Sequence, residues 1–419
     1  MRERFWHGAA GQAHLVSLWW ATLPSMPGVV PGVNLEFPMA QAILDFPAQP
    51  VDDGVAFELG RDFARHALTP PLERLPAGSP LRRGWVAGRA SFGARTLVPT
   101  PPVRQWLQLR LDAWRCGVAF EAMLVTPNYL RQIDVAWCPV TRRALTRHTG
   151  GMSDASIARV RDDAGYAAGN LAVISAQAHA AKGRCDFDGA LALMRLAEAV
   201  PAPTAGESVR PELDGLGAAE WARVAVLCSL VTALPHEQAA SLPLLLLPPN
   251  RLRMLNPVQA LQALLTRQFG LEGLSARLTR IEALLPGSAP QRDFRLFVNA
   301  LLPRVLERGH HADAQAMRWT LEDAWRDPLV LRCWSRLARQ LTAAQAERIV
   351  LRANVPSLDG QRAQPLTTDQ ATEGWELERH GDSLAAVGRR ASPAPARRRQ
   401  SCPPASIPRS APLQLAFGA

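Results

Sequence analysis

Within GNLAVISAQAHAAKG, residues 169–183, several side chains are spaced to act together. Ser175 stands four residues before His179 and Lys182 three after it, which puts hydroxyl, imidazole and ammonium on one side of a helix. The alanine-rich AQAHAAK favours that helix. An imidazole can ligate a metal or move a proton, and an ammonium can hold a phosphate. Lys182 is also the sole lysine among 419 residues, the remaining basic side chains being arginine. An arginine would serve equally well as a cation facing the negative end of a helix dipole, so this lysine calls for a more specific reason.

The elements that must position these groups are legible nearby. Beta-branched residues in SIARV and LAVIS predict two short strands, and the turn-rich DDAGYAAGN between them predicts a hairpin. The helix carrying His179 and Lys182 follows directly. The expectation is a ββα unit embedded in residues 128–200.

Asn170 at the start of the second strand, His179 nine residues later and Lys182 three further on carry a resemblance. Together with Gly165-Tyr166 before the asparagine and Cys138-Pro-Val-Thr141 upstream, they resemble the HNH family of His-Me finger nucleases, in a form common in phages and bacteria. The match covers residues 138–183, about a tenth of the chain. It implies a ββα core around one divalent cation, Mg2+ or Mn2+, acting on a phosphodiester, with nucleic acid as partner. Such hydrolysis needs a deprotonated water and a cation to neutralise the developing charge. In the family a histidine ending the first strand is the base, an adjacent aspartate and the helix histidine hold the metal, and the asparagine orients the base.

Carried over residue by residue, the resemblance makes His179 the metal ligand and Asn170 the orienting residue. The base and carboxylate positions read Arg159 and Ala158. Alanine cannot ligate a metal, and an arginine that holds its proton cannot serve as a base near neutrality. His148, Asp154, Asp162 and Asp163 flank the first strand and are the candidate substitutes, His148 and Asp154 foremost. Arg159 and Lys182 are then expected to contact phosphate, since a guanidinium grips phosphate in two places. The family often holds a structural zinc with two cysteine pairs. Here Cys138 is kept while the other positions read Thr141, Ser175 and Ala178, so no structural zinc is expected.

The rest of the chain sets the context. Residues 1–100 are rich in Pro, Gly and Trp, and irregular structure with short elements is expected there. In residues 101–200 a helix precedes the ββα unit, with Val103, Trp106, Leu107, Arg110, Trp114 and Val118 at three- and four-residue spacing after Pro101-Pro102. A linker follows at 201–215. Residues 216–355 then read as successive amphipathic helices, among them AAEWARVAVLCSLVTAL, NPVQALQALLTRQFG and TAAQAERIVLRAN. Residues 356–419 form a basic Pro- and Arg-rich tail, expected to be disordered. The fold class is therefore mainly α with a small embedded ββα unit and a helical C-terminal region.

A formal net charge of +10 favours an anionic partner, nucleic acid before a membrane surface. The helical C-terminal region could instead receive a protein partner, in which case the HNH-like unit would be a relic. Six cysteines without a C-x-x-C pair suit a reducing cytoplasm. LPLLLLPP, residues 242–249, is too short and too rich in proline to span a bilayer, so no membrane partner is expected. Walker, Rossmann and G-x-S-x-G spacings are absent, which leaves nucleotide hydrolysis and serine hydrolase chemistry without support. His310-His311 with Asp313 reads as a loop and helix cap.

Overall fold

A computed structural model describes residues 53–71, 76–199, 213–309 and 313–353. Residues 1–52, the linker through 212, His310-His311 and the basic tail lie outside the described residues, and with them the expectations placed there. The described chain is mainly helical and contains one two-stranded antiparallel sheet. It falls into two compact units that divide between Val98 and Pro99.

The first unit contains α1 (Asp53–Arg65) and α2 (Pro80–Phe92). Two helices of 13 residues stand where irregular structure was expected. Glycine explains the difference. A Cβ at Gly60 would overlap the Leu81 carbonyl, and one at Gly84 the Phe57 carbonyl. The helices pack backbone to backbone through residues that look like breakers in a sequence.

The second unit opens with α3 (Pro101–Arg115) and α4 (Pro127–Ile133). A loop that turns back on itself leads to β1 (Ala155–Arg159), β2 (Leu171–Ser175) and α5 (Ala176–Lys182). The register pairs Ile157 with Val173 and Ala158 with Ala172. Strand alternation splits this hairpin into two faces. Ala155, Ile157, Leu171 and Val173 join Leu109 and Ala113 of α3 and Tyr129, Leu130 and Ile133 of α4 in one apolar cluster. Ser156 and Ala158 therefore lie on the opposite face, the one that meets α5.

Next come α6 (Phe187–Ala199), α7 (Ala218–Leu230), α8 (His236–Ser241), α9 (Pro257–Gln268), α10 (Leu274–Glu282), α11 (Ser288–Glu307), α12 (Ala314–Ala324), α13 (Pro328–Arg339) and α14 (Ala343–Ala353). Every residue of α7 from Trp221 to Leu230 is buried, which makes it a central helix with no solvent face. Phe297, Trp325 and Trp334 meet pairwise at 5.5–5.7 Å between ring centroids and centre a second core between α11 and α13. LPLLLLPP lies inside the protein, its leucines buried and the Leu247 N–H donating to Glu322 Oε1 at 2.8 Å. Among the described residues no helix is long and apolar enough to cross a membrane.

Residues 101–200 and 216–355, separated as domains in the sequence reading, belong to one compact unit. Arg223 of α7 donates to the Val140 carbonyl at 2.8 Å. Arg142 bridges Glu322 and Asp323 of α12 at 3.0 and 2.9 Å. Cys228 of α7 sits against the Val160 carbonyl just past β1.

Candidate functional site

Three local arrangements shape the ββα unit. The first is the loop between the strands. Asn170 is fully buried and spends its whole side chain on that loop. Its Nδ2 donates to the carbonyls of Arg161 at 2.9 Å and Gly165 at 3.1 Å, and its Oδ1 accepts the Arg161 N–H at 2.9 Å. Neighbours hold the loop from outside: Glu121 accepts the Ala168 N–H and the Tyr129 hydroxyl accepts the Gly169 N–H. Burial pushes that phenol up to about 12. Gly169 has φ +90°, and Arg253 packs where its side chain would be.

The second arrangement is the knuckle before β1. Cys138 Sγ accepts the N–H groups of Thr141 at 3.4 Å and Ser175 at 3.3 Å. Ser175 Oγ in turn caps α5 by accepting the Ala178 N–H at 3.2 Å. Cys138, Thr141, Ser175 and Ala178, linked only by the resemblance at the level of sequence, are thus joined through hydrogen bonds and all buried.

The third is the α5 face. His179 Nδ1 lies 2.7 Å from Ser156 Oγ across the α5–β1 packing. Its imidazole is held down at about 4, first by burial and then by the positive charges of Lys182 and Arg159. Lys182 is 2% exposed, and its Nζ has no hydrogen-bond partner among the described residues. Its counter-charge is Asp162, 4.0 Å away and shared with Arg159 at 3.6 Å and Arg184 at 3.9 Å.

No family model, curated protein or solved structure matches this chain. Its chemistry must therefore be judged from the site alone.

Asn170, Arg159, His179 and Lys182 are brought into one neighbourhood, but each is committed. Asn170 fastens a loop and touches no candidate base. Arg159 donates to the carbonyls of Asp162 at 2.8 Å and Ala164 at 2.9 Å, and its guanidinium lies over the Tyr166 ring at 5.2 Å. Asp154 accepts from Thr146 Oγ1, Thr149 Oγ1 and the Gly150 N–H, all at 2.7 Å, and these bonds hold its carboxyl below the usual range. A carboxylate so engaged is a poor base. His148 lies exposed on the same loop with φ +59°. Asp163 pairs with Arg161 at 2.7 Å.

The donor set does not fit a divalent cation. A hard cation needs several oxygens, whereas His179 offers one imidazole beside a hydroxyl, with two positive charges depressing its affinity for a proton and repelling a metal alike. Ala158 is buried on the same strand face as Ser156. Among the described residues no three His, Cys, Asp or Glu side chains gather in a metal-binding group.

Sequence reasoning missed Ser156 and Cys228. Strand alternation was enough to find Ser156, since it places residue 156 on the face of residue 158. Nothing local marks Cys228, which comes from α7, some fifty residues downstream of His179.

Proposed function

We propose that this chain is a nucleic-acid-associated protein in which an HNH-like ββα unit persists as a non-cleaving structural element. The hairpin followed directly by a helix, the loop fastened by Asn170 and the Cys138 knuckle support the family resemblance. The observation that carries the non-cleaving reading is the donor set around His179. Its imidazole is buried beside Ser156 with Lys182 and Arg159 as charged neighbours, and Ala158 stands on the same strand face where a carboxylate would be needed. Cys228, buried on α7, packs against Val160 at the end of the same strand face. Nucleic-acid association rests on the excess of +10 and on exposed arginine at the unit, such as Arg143.

Nicking of supercoiled plasmid with Mg2+ or Mn2+, compared between the unaltered chain and His179→Ala, tests the first half. Neither protein should nick. Metal-dependent nicking that disappears in the variant would make this a working nuclease. DNA affinity measured against salt tests the second half, and log affinity should fall linearly with log salt concentration. A flat, weak response would favour a protein-interaction role.

A further inference from the structure

The solvent face of α13 is built differently from the other charged helix faces. Past its first turn the exposed residues are Arg332, Arg336 and Arg339, while Val330, Leu331, Trp334, Leu337 and Ala338 are buried. The arginines fall at i, i+4 and i+7, which lines them up on one side over about 10 Å. Elsewhere helix arginines are matched by a carboxylate one turn away: Arg61 by Glu58, Arg304 by Glu307 and Arg318 by Glu322. Helix α13 contains no Asp or Glu. Like charges a turn apart repel, so the stripe disfavours the helix that carries it. The helix dipole offsets this for Arg336 and Arg339 in the last turn, but not for Arg332.

The acidic groups beside the stripe leave it positive. Asp293 of α11 is 1% exposed and accepts from Arg336 Nε at 2.9 Å and from Gln340, with Arg292 Nε at 3.5 Å. One buried carboxylate is thus shared by two arginines. Arg292, its side chain 63% exposed, extends the positive surface from α13 onto α11. Asp327 is engaged at the helix start, where it caps the Leu329 and Val330 N–H groups and pairs with Arg304 at 2.6 Å. The side chains of Arg332 and Arg339 have no ion-pair partner among the described residues.

Guanidiniums in a row suit phosphates in a row, because each fork can take two oxygens of one phosphate. The exposed residues of the stripe offer a base no ring to stack on, Trp334 being buried in the aromatic core. That favours the backbone of a duplex, with about one charge per 1.7 Å of axis, over the bases of a single strand. We propose that the Arg332, Arg336 and Arg339 face of α13, extended by Arg292, binds the phosphate backbone of a nucleic-acid duplex without reading its sequence. The inference rests on the nucleic-acid association proposed above and gives it a surface.

Fluorescence anisotropy on the full chain, with a labelled DNA duplex, an RNA duplex and a single strand of equal length, tests it. At least one duplex should bind more tightly than the single strand. Arg332→Gln combined with Arg339→Gln should lower the slope of log affinity against log salt by about two, the share of two phosphate contacts. Arg348→Gln combined with Arg352→Gln removes the same charge from exposed positions on α14 and should leave the slope unchanged. All four side chains are exposed, and thermal melts should match the parent. If the α13 pair melts lower, Arg332→Gln alone carries the comparison, with a slope change of about one. Equal slope changes for the two pairs would trace binding to overall charge and overturn the stripe alone. Displacement of the duplex by polyglutamate at equal charge would do the same, marking a surface for an acidic protein. Tighter binding of the single strand than of either duplex overturns the duplex assignment. Failure to bind any of the three at low salt overturns the proposed function and this inference with it.

Discussion

Lys182 and His179 are the residues on which the reading turns, and both make measurable claims. A buried ammonium without a hydrogen bond, 4.0 Å from a shared carboxylate, pays a desolvation cost that its ion pair does not fully return. Asp162 keeps Arg159 and Arg184 if the lysine is removed. Lys182→Met is therefore expected to fold as stably as the parent, or more stably by up to about 3 kcal/mol, in a denaturant titration. A loss of several kcal/mol would mean that Lys182 holds the inter-strand loop in place. For His179 the sign follows from its lowered affinity for a proton in the fold. The unfolded chain protonates first, near 6.5, and the folded imidazole only at about 4. Its contribution to stability is complete above the unfolded value and is lost as pH falls through that window, on the order of 3 kcal/mol by the lower end. His179→Gln should show a shallower loss of stability between those two pH values than the parent, and identical slopes would place the imidazole in solvent. The sequence identified both residues because their types and spacing are local. It gave no sign that burial would commit them, since the buried Cys228 near Lys182 comes from α7.

At the scale of elements, the strands and α5 stand where the beta-branched runs and the alanine-rich run placed them, LAVIS and AQAHAAK matching β2 and α5 residue for residue. Helix α13 carries its own start signal: the Asp327 side chain accepts the Leu329 and Val330 N–H groups, and Pro328 opens the first turn. The packed glycines of α1 and α2 misled in the other direction, because a breaker and a close-contact residue look alike without a partner in view. Two element-level tests follow. Asn170→Ala would strand the Arg161 N–H and the Arg161 and Gly165 carbonyls inside the protein, and should cost about 2–4 kcal/mol in a denaturant titration. A negligible cost would show that Glu121, Tyr129 and Arg253 hold the loop unaided. The knuckle offers the second test. With Cys138 already bonded to Thr141 and Ser175, the combined Thr141→Cys, Ser175→Cys and Ala178→Cys variant should present four thiolates to one metal and bind one zinc per chain by elemental analysis. Absence of zinc in a folded variant would separate this knuckle from the zinc-binding form of the family.

For the whole molecule, the ββα-bearing and helical parts of residues 99–353 fall in one compact unit, and the reason is physical. The linker that seemed to separate them spans only a stretch of chain, while the surfaces it joins are completed by each other. Val140 obtains its donor from Arg223, whose own guanidinium is lowered to about 10 chiefly by burial, a cost accepted only inside a packed interface. Arg142 finds its carboxylates on α12, and Cys228 covers the carbonyl of Val160. Polar groups so arranged would be stranded at an apolar surface if the parts came apart. A fragment spanning residues 99–200 should therefore give a poorly dispersed amide spectrum and no cooperative melt, while residues 99–353 should melt in a single transition. A cooperative melt of the shorter fragment would mean that the ββα unit folds alone, and that its α5 face is open to solvent and to phosphate whenever the helices of the C-terminal region let go.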